Sequence, residues 1–356
     1  MCLLEAGLHD RIPRAGAEAK HLLARAVNPM TTARARAATD RLLTQCQVTL
    51  AVGLGDTRGV SALEPIVDGN VHLWDQRVNP VFWLSDRTLV RDMLGDYDSL
   101  PEVYTLGDYE QETAGFDVRG IVWSDAGAAD PVAAAEWVSR QHERHGLVTG
   151  MVSLGDPAAD GFGDLVTRLR AIPLVSSVRV RLASGLTQGA EGGPTLLEQP
   201  VAMEHLRQMA AVGLVATIEA TSDQLPLVLR LTDALPQLRI VIDHFGWPTQ
   251  LDAAGRRLHL DRLAGLAANP NVGTRLDALG TIFGAWTVDG VRPWLSAVVD
   301  LFGADRCMLG SDLPIERLRS GFESLYRAYE DIFAERTSRE RGMLLGGTAT
   351  RWYGAG

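Results

Sequence analysis

From about residue 65 onward the chain alternates short apolar runs with longer stretches in which apolar residues recur every three or four positions. Eight short runs read as strands: PIVDGNVHL, DVRGIVWSD, LVTGMVSLG, SSVRVRLA, GLVATIEAT, LRIVIDHFG, NVGTRLDAL and RCMLGSDLP. Segments between them carry helical spacing, among them PVAAAEWVSRQHERH, FGDLVTRLRAI, VAMEHLRQMAAV and LPLVLRLTDAL. Such alternation predicts a parallel sheet with helical crossovers. Eight repeats over about 250 residues fit a (β/α)8 TIM barrel better than an open sheet. A doubly wound sheet would carry a phosphate-binding glycine loop after its first strand. The glycine cluster Gly53, Gly55 and Gly59 has the wrong final spacing and opens no helix.

Residues 1–65 read differently. AEAKHLLARAV and TTARARAATDRLLTQ have helix-forming composition, and VTLAVGLG follows as a short strand or loop. This part is expected to be a partly helical N-terminal extension, with 66–356 as the catalytic barrel. The extension has three uses open to it: packing on the barrel, covering its mouth, or joining a homodimer.

Composition narrows the function classes. The chain carries 34 basic and 44 acidic residues, a net charge of −10, which argues against a nucleic-acid footprint of clustered positive charge. The extension has 8 basic and 6 acidic residues, so the remaining 26 and 38 give the barrel −12. Lys20 is the sole lysine. The barrel must therefore work without a lysine Schiff base, a lysine general base or a carboxylated-lysine metal bridge. Cys2, Cys46 and Cys307 have no metal-like spacing. No apolar run approaches the roughly 18 residues of a membrane span. The opening MCLLEAGLHDRIPR has acids where a signal peptide wants basic and apolar residues. A cytoplasmic enzyme acting on a small molecule, with neither nucleic acid nor membrane as partner, is the expectation.

In a barrel of this kind the active site lies at the C-terminal ends of the strands. The polar residues there are Asn70 and His72 on the first strand, Asp125 on the second, and Arg179 and Arg181 on the fourth. Glu219 follows on the fifth, Asp243 and His244 on the sixth, Asp277 on the seventh and Asp312 on the eighth. Arg179 and Arg181 alternate with Val178 and Val180, so both guanidinium groups point to one face of their strand.

The run Val67-Asp68-Gly69-Asn70-Val71-His72-Leu73-Trp74-Asp75 resembles the opening strand of the amidohydrolase superfamily, whose motif is His-x-His. More narrowly it is similar to the lactonase-like branch, which opens Asp-x-His-x-His-x-Trp-Asp. Phe82-Trp83-Leu84, Gln224-Leu225-Pro226, Val241 to Pro248, Leu309 to Pro314 and the ending Ala349-Thr350-Arg351-Trp352-Tyr353-Gly354 match in order. The resemblance implies that Asp312 is the base that activates water, with His72 and His244 polarising a carbonyl, holding the water or binding metal.

The departures bear on metal. Asn70 stands where the first histidine belongs, and an amide is a poor substitute for imidazole on zinc. Arg179 and Arg181 take the place of the bridging residue, Glu219 that of a fifth-strand histidine, and Thr274-Arg275-Leu276-Asp277 that of a Lys-x-Ser run. Catalysis without a cofactor is expected. The alternative is a single zinc or other divalent ion on His72, His244 and Asp312, with Asn70 or Glu219 completing the shell.

Candidate substrate contacts are Arg179, Arg181, Asn70, Trp74, Glu219 and Asp277. The arginines would clamp a substrate carboxylate bidentately or saturate buried acids such as Asp277 and Glu219. Trp74 and Trp83 would form an aromatic wall or pack in the core. His142 and His145 miss the His-Glu-x-x-His spacing by one residue and read as a solvated helix face. Cys307 reads as a buried small hydrophobe. The expected activity is hydrolysis of a cyclic ester or related C–O or C–N bond in a small, carboxylate-bearing substrate. The alternatives are a decarboxylase or biosynthetic enzyme on the same barrel, or a barrel that only binds ligand.

Overall fold

A computed structural model describes residues 64–182 and 196–354. The expected helical extension lies almost wholly outside the described residues. Among them, no helix is long and apolar enough to cross a membrane.

Eight parallel strands follow in chain order: β1 (Ile66–Val71), β2 (Val118–Ser124), β3 (Val148–Leu154), β4 (Val175–Arg181), β5 (Val215–Glu219), β6 (Ile240–Ile242), β7 (Val272–Leu276) and β8 (Cys307–Leu309). Each pairs with the next in sequence. The ends of the sheet meet beyond β8, where His72 N donates to Leu313 O at 2.7 Å and Asp312 N to Asn70 O at 2.8 Å. The barrel thus closes beside the residues of its first and last sequence motifs.

A helix follows every strand: α1 (Leu106–Glu112), α2 (Pro131–His145), α3 (Phe162–Arg170), α4 (Pro200–Ala211), α5 (Leu225–Ala234), α6 (Ala253–Ala267), α7 (Val288–Phe302) and α8 (Phe322–Ile332). This is the (β/α)8 order that the hydrophobic pattern predicts. Local chemistry sets the helix ends. Asp130 caps α2 by accepting from Val132 N and Ala133 N, Pro131 fills the first turn, and Gly146 takes the left-handed C-terminal position.

The barrel interior changes character along its axis. At one level Val122, Val152, Val215, Val241 and Met308 pack together with Trp352 and Tyr353 of a closing helix, α9 (Thr348–Tyr353). The Tyr353 hydroxyl lies 2.8 Å from Thr217 Oγ1, which lies 2.8 Å from Ser177 Oγ. A Cβ at Gly150 would run into the Tyr353 carbonyl oxygen, so this close approach requires glycine. Two residues further along β4 and β5, the same interior face presents Arg179 and Glu219 in place of Ser177 and Thr217. The floor is apolar, and the C-terminal mouth is ionic.

The apolar runs predicted at β6, β7 and β8 extend past the observed strands. The reason is backbone conformation: His244, Phe245, Trp247, Ala278 and Asp312 all adopt positive φ, between 34° and 57°. Non-glycine residues enter this region at a cost and cluster at sites whose surroundings impose it. The chain leaves the sheet sharply there, turning His244 and Asp312 over the mouth.

Candidate active site

Asp312, at the end of β8 and 3% exposed, is the centre of the mouth. Its Oδ1 accepts from Asn70 Nδ2 at 3.0 Å and lies 3.0 Å from His72 Nε2. His72 Nδ1 lies 2.7 Å from the Ser124 carbonyl oxygen. A carbonyl only accepts, so Nδ1 carries a hydrogen. Nε2 then faces a carboxylate oxygen, and the contact is favourable only with a proton between the two. His72 and Asp312 thus form a buried contact pair, while Oδ2 of Asp312 has no protein hydrogen bond among the described residues.

Asp68, fully buried on β1, sets this arrangement from behind. It accepts from Ser311 N at 2.7 Å, Asn70 N at 3.2 Å and the Tyr109 hydroxyl at 3.0 Å. Burial pushes its carboxyl up to about 6 against those donors.

The second imidazole is held differently. His244 Nδ1 donates to Asp277 Oδ1 at 2.7 Å, and His244 Nε2 accepts from Arg179 Nη2 at 3.0 Å. Burial disfavours its charged form, but Asp277 and Asp243 outweigh burial and raise its pKa above the ordinary value. A proton arriving at Nε2 must displace the Arg179 contact. The turn carrying His244 is fixed by His259, whose Nε2 donates to Phe245 O at 3.0 Å and whose Nδ1 lies 3.0 Å from Ser222 Oγ. Burial pushes the His259 pKa down to about 4, so it stays neutral.

Arginines knit the mouth together. Arg179 pairs with Glu219 Oε2 at 3.1 Å and Asp243 Oδ2 at 2.8 Å. Arg181 pairs with the same Glu219 oxygen at 3.2 Å and donates to Ala126 O at 3.3 Å. Arg275, wholly buried, pairs with Asp243 and donates to Ser124 Oγ at 2.7 Å and Gly69 O at 3.2 Å. Burial alone would raise the Asp243 and Glu219 carboxyls, yet the guanidinium groups hold both below the usual range.

A narrow cleft, open to solvent, lies above this network. His72, His244, Asp312, Arg179, Arg181 and Glu219 line its floor. Three sequence candidates stand elsewhere. Asn70 lies behind Asp312 and Asp277 behind His244, each touching the cleft only through its partner. Trp74 packs edge-on against Trp83 at 6.0 Å and donates to Pro101 O, so of this pair Trp83 is the one on the cleft wall. Asp125 accepts from Gly127 N and Ala128 N at 2.8 Å and stiffens its own loop. Arg275 was missed among the sequence candidates, although its alternation with Asp277 on β7 placed both on one face.

The donor set does not suit a divalent metal. His244 Nε2 and Glu219 Oε2 both contact the permanently charged Arg179 Nη2, so an ion on either would face a cation. His72 Nε2, the Asp312 carboxylate and the unpartnered amide oxygen of Asn70 remain; an amide is a poor zinc donor, and catalytic zinc wants three strong protein ligands. Among the described residues His72, His244 and Asp312 do not form a metal-holding cluster.

A parallel barrel whose strand ends converge on a histidine–aspartate pair, a second histidine and buried acids is built as an enzyme of the (β/α)8 class. The profile of the Amidohydrolase family matches residues 67–355, and the chain belongs to that family. It is 25% identical over 297 residues to the uncharacterized protein y4mH of Sinorhizobium fredii, covering 81% of this chain and 98% of that one. It is 35% identical over 169 residues to an L-fucono-1,5-lactonase of Burkholderia ambifaria, covering 44% of this chain and 56% of the relative. Its fold superposes on a Burkholderia multivorans amidohydrolase crystallised with bound zinc, at a TM-score of 0.67, 20% identity, and 82% and 99% coverage.

Proposed function

We propose that this enzyme hydrolyses the C–O bond of a small lactone, with Asp312 as the general base and without a metal ion. The observation that carries the reading is the pairing of Asp312 Oδ1 with both Asn70 and His72, which leaves Oδ2 without a protein partner among the described residues, on a residue that lines the cleft. The L-fucono-1,5-lactonase relative supports the reaction class.

In this mechanism the lactone carbonyl lies on the floor between Asp312 and the arginines. Water attacks the carbonyl carbon and gives a proton to Asp312 Oδ2. The guanidinium groups of Arg179 and Arg181, already oriented by Glu219, face the oxygen that gains negative charge. The ring C–O bond then breaks, and the proton passes from the His72–Asp312 pair to the departing alkoxide oxygen. The product is the open hydroxy acid. Asp277 and Asn70 act as positioning residues, one on His244 and the other on Asp312.

The test is a pH-stat assay of the full chain on a panel of δ-lactones, comparing wild type with Asp312→Asn. Positioned general bases contribute typically 10²–10⁴-fold, and a loss of that size with an unchanged thermal midpoint is expected. Asp312→Asn turnover within threefold of wild type would overturn the assignment. Release of CO₂ with no lactone turnover would make the enzyme a decarboxylase instead.

A further inference from the structure

The mouth carries no surplus of positive charge. Three guanidinium groups, Arg179, Arg181 and Arg275, meet the carboxylates Glu219, Asp243 and Asp277. Asp125, which also faces Arg181, and Asp312, 3.0 Å from His72 Nε2, add two further carboxylates. Both cleft-lining arginines already balance acids, Arg179 two of them and Arg181 Glu219, so their remaining N–H groups can polarise a neutral carbonyl but bring no surplus charge for a carboxylate. A substrate carboxylate would have to compete with these buried ion pairs for a partner.

Above the ionic floor the described walls are largely apolar, the Trp247 indole N–H and the Thr281 hydroxyl excepted. Trp83, Val90, Met93 and Leu94 come from the segment between β1 and α1, Trp247 from the turn after β6, and Ile315 from the loop after β8. The Trp83 indole N–H is spent on the Ala126 carbonyl at 2.7 Å. Of the other described lining residues away from the floor, Thr281 offers the one hydroxyl. A polyhydroxylated lactone ring would press several hydroxyls against methyl, methylene and indole carbon. Hydroxyls that lose water without gaining a partner are strongly rejected, whereas each buried methylene is favourable.

From this lining we infer that the substrate class is an uncharged lactone bearing a short alkyl or aryl substituent, neither a sugar-acid lactone nor a carboxylate-bearing one. The inference rests on the hydrolase reading above and specifies its substrate. The lactone head sits on the Asp312–His72–Arg179 floor, and the substituent lies along Met93, Leu94 and Trp247.

The experiment measures kcat/KM by pH-stat for δ-valerolactone, δ-octalactone and δ-decalactone, for D-glucono-1,5-lactone, and for a δ-lactone with a ring carboxylate. For the alkyl series kcat/KM should rise about three- to fourfold per added methylene until the cleft is filled. δ-Decalactone should exceed glucono-1,5-lactone by at least about a hundredfold. Met93→Gln should flatten the chain-length slope and Met93→Leu should keep it. A preference for the sugar lactone or the carboxylate, abolished by Asp312→Asn, would overturn the substrate class while leaving the hydrolase reading intact. A slope unchanged in Met93→Gln would also overturn the placement. No turnover of any lactone would overturn the hydrolase reading and the substrate class with it.

Discussion

Arg179 Nη2 stands 3.0 Å from His244 Nε2, so the nitrogen that would otherwise be the sixth strand's metal donor accepts from a permanent cation. The same guanidinium holds Glu219 and Asp243, and one side chain thereby fixes the chemistry of two strand ends. What the mouth can do follows from this relationship.

Lactone turnover by the full chain should survive exhaustive dialysis against EDTA, because His72 and Asp312 alone do not hold a catalytic divalent ion. The check is elemental analysis alongside kcat/KM before and after chelation. Loss of activity on chelation, restored by one equivalent of zinc, would refute the metal-free mechanism.

Arg179→Met should destabilise the barrel by about 3–5 kcal/mol, because it strands Glu219 and Asp243 in the interior without that partner. Adding Glu219→Gln should cost less than the sum of the two single changes, since the two residues share one ion pair. Urea unfolding of the two single variants and the double variant measures the coupling. Strict additivity would count against the network.

Glu316 gives a pH signature. It is almost fully buried, accepts from Gly280 N at 2.8 Å, Trp286 Nε1 at 3.2 Å and Ser320 Oγ at 2.7 Å, and burial pushes its carboxyl up to about 7. A raised acid binds its proton more tightly when folded. Its contribution is therefore fully present below the unfolded value near 4.5 and is lost as pH rises towards 7. The stability of wild type minus that of Glu316→Gln should fall between pH 4.5 and 7.5, by about 3 kcal/mol at most. A flat difference across that window would show that the carboxyl is not perturbed.

Gly150→Ala should cost about 1–3 kcal/mol, because its methyl meets backbone of α9 and neither side can yield without moving the closing helix. Gly163→Ala, inside α3 with its nearest contact at 3.4 Å, should be neutral or stabilising by up to about 1 kcal/mol. Thermal midpoints of the two variants should separate accordingly.

The period of the hydrophobic pattern determined the barrel, because a strand buried on both faces and a helix buried on one leave different imprints on sequence. α2 occupies residues 131–145, the very stretch whose spacing predicts it. The same logic placed Asn70, His72, Arg179, Glu219, His244, Asp277 and Asp312 at strand ends on the mouth side. Sequence left open which of these face the cleft and which stand behind, because that depends on pairings between strands far apart in the chain. Asn70 and Asp312 are separated by 242 positions and meet at 3.0 Å only because the barrel closes between its first and last strands. Left-handed turns at His244 and Asp312, the burial of Trp74 behind Trp83, and the capture of His244 by Arg179 arise in the same way. Local propensity sets the elements, whereas closure and packing decide which charges find one another.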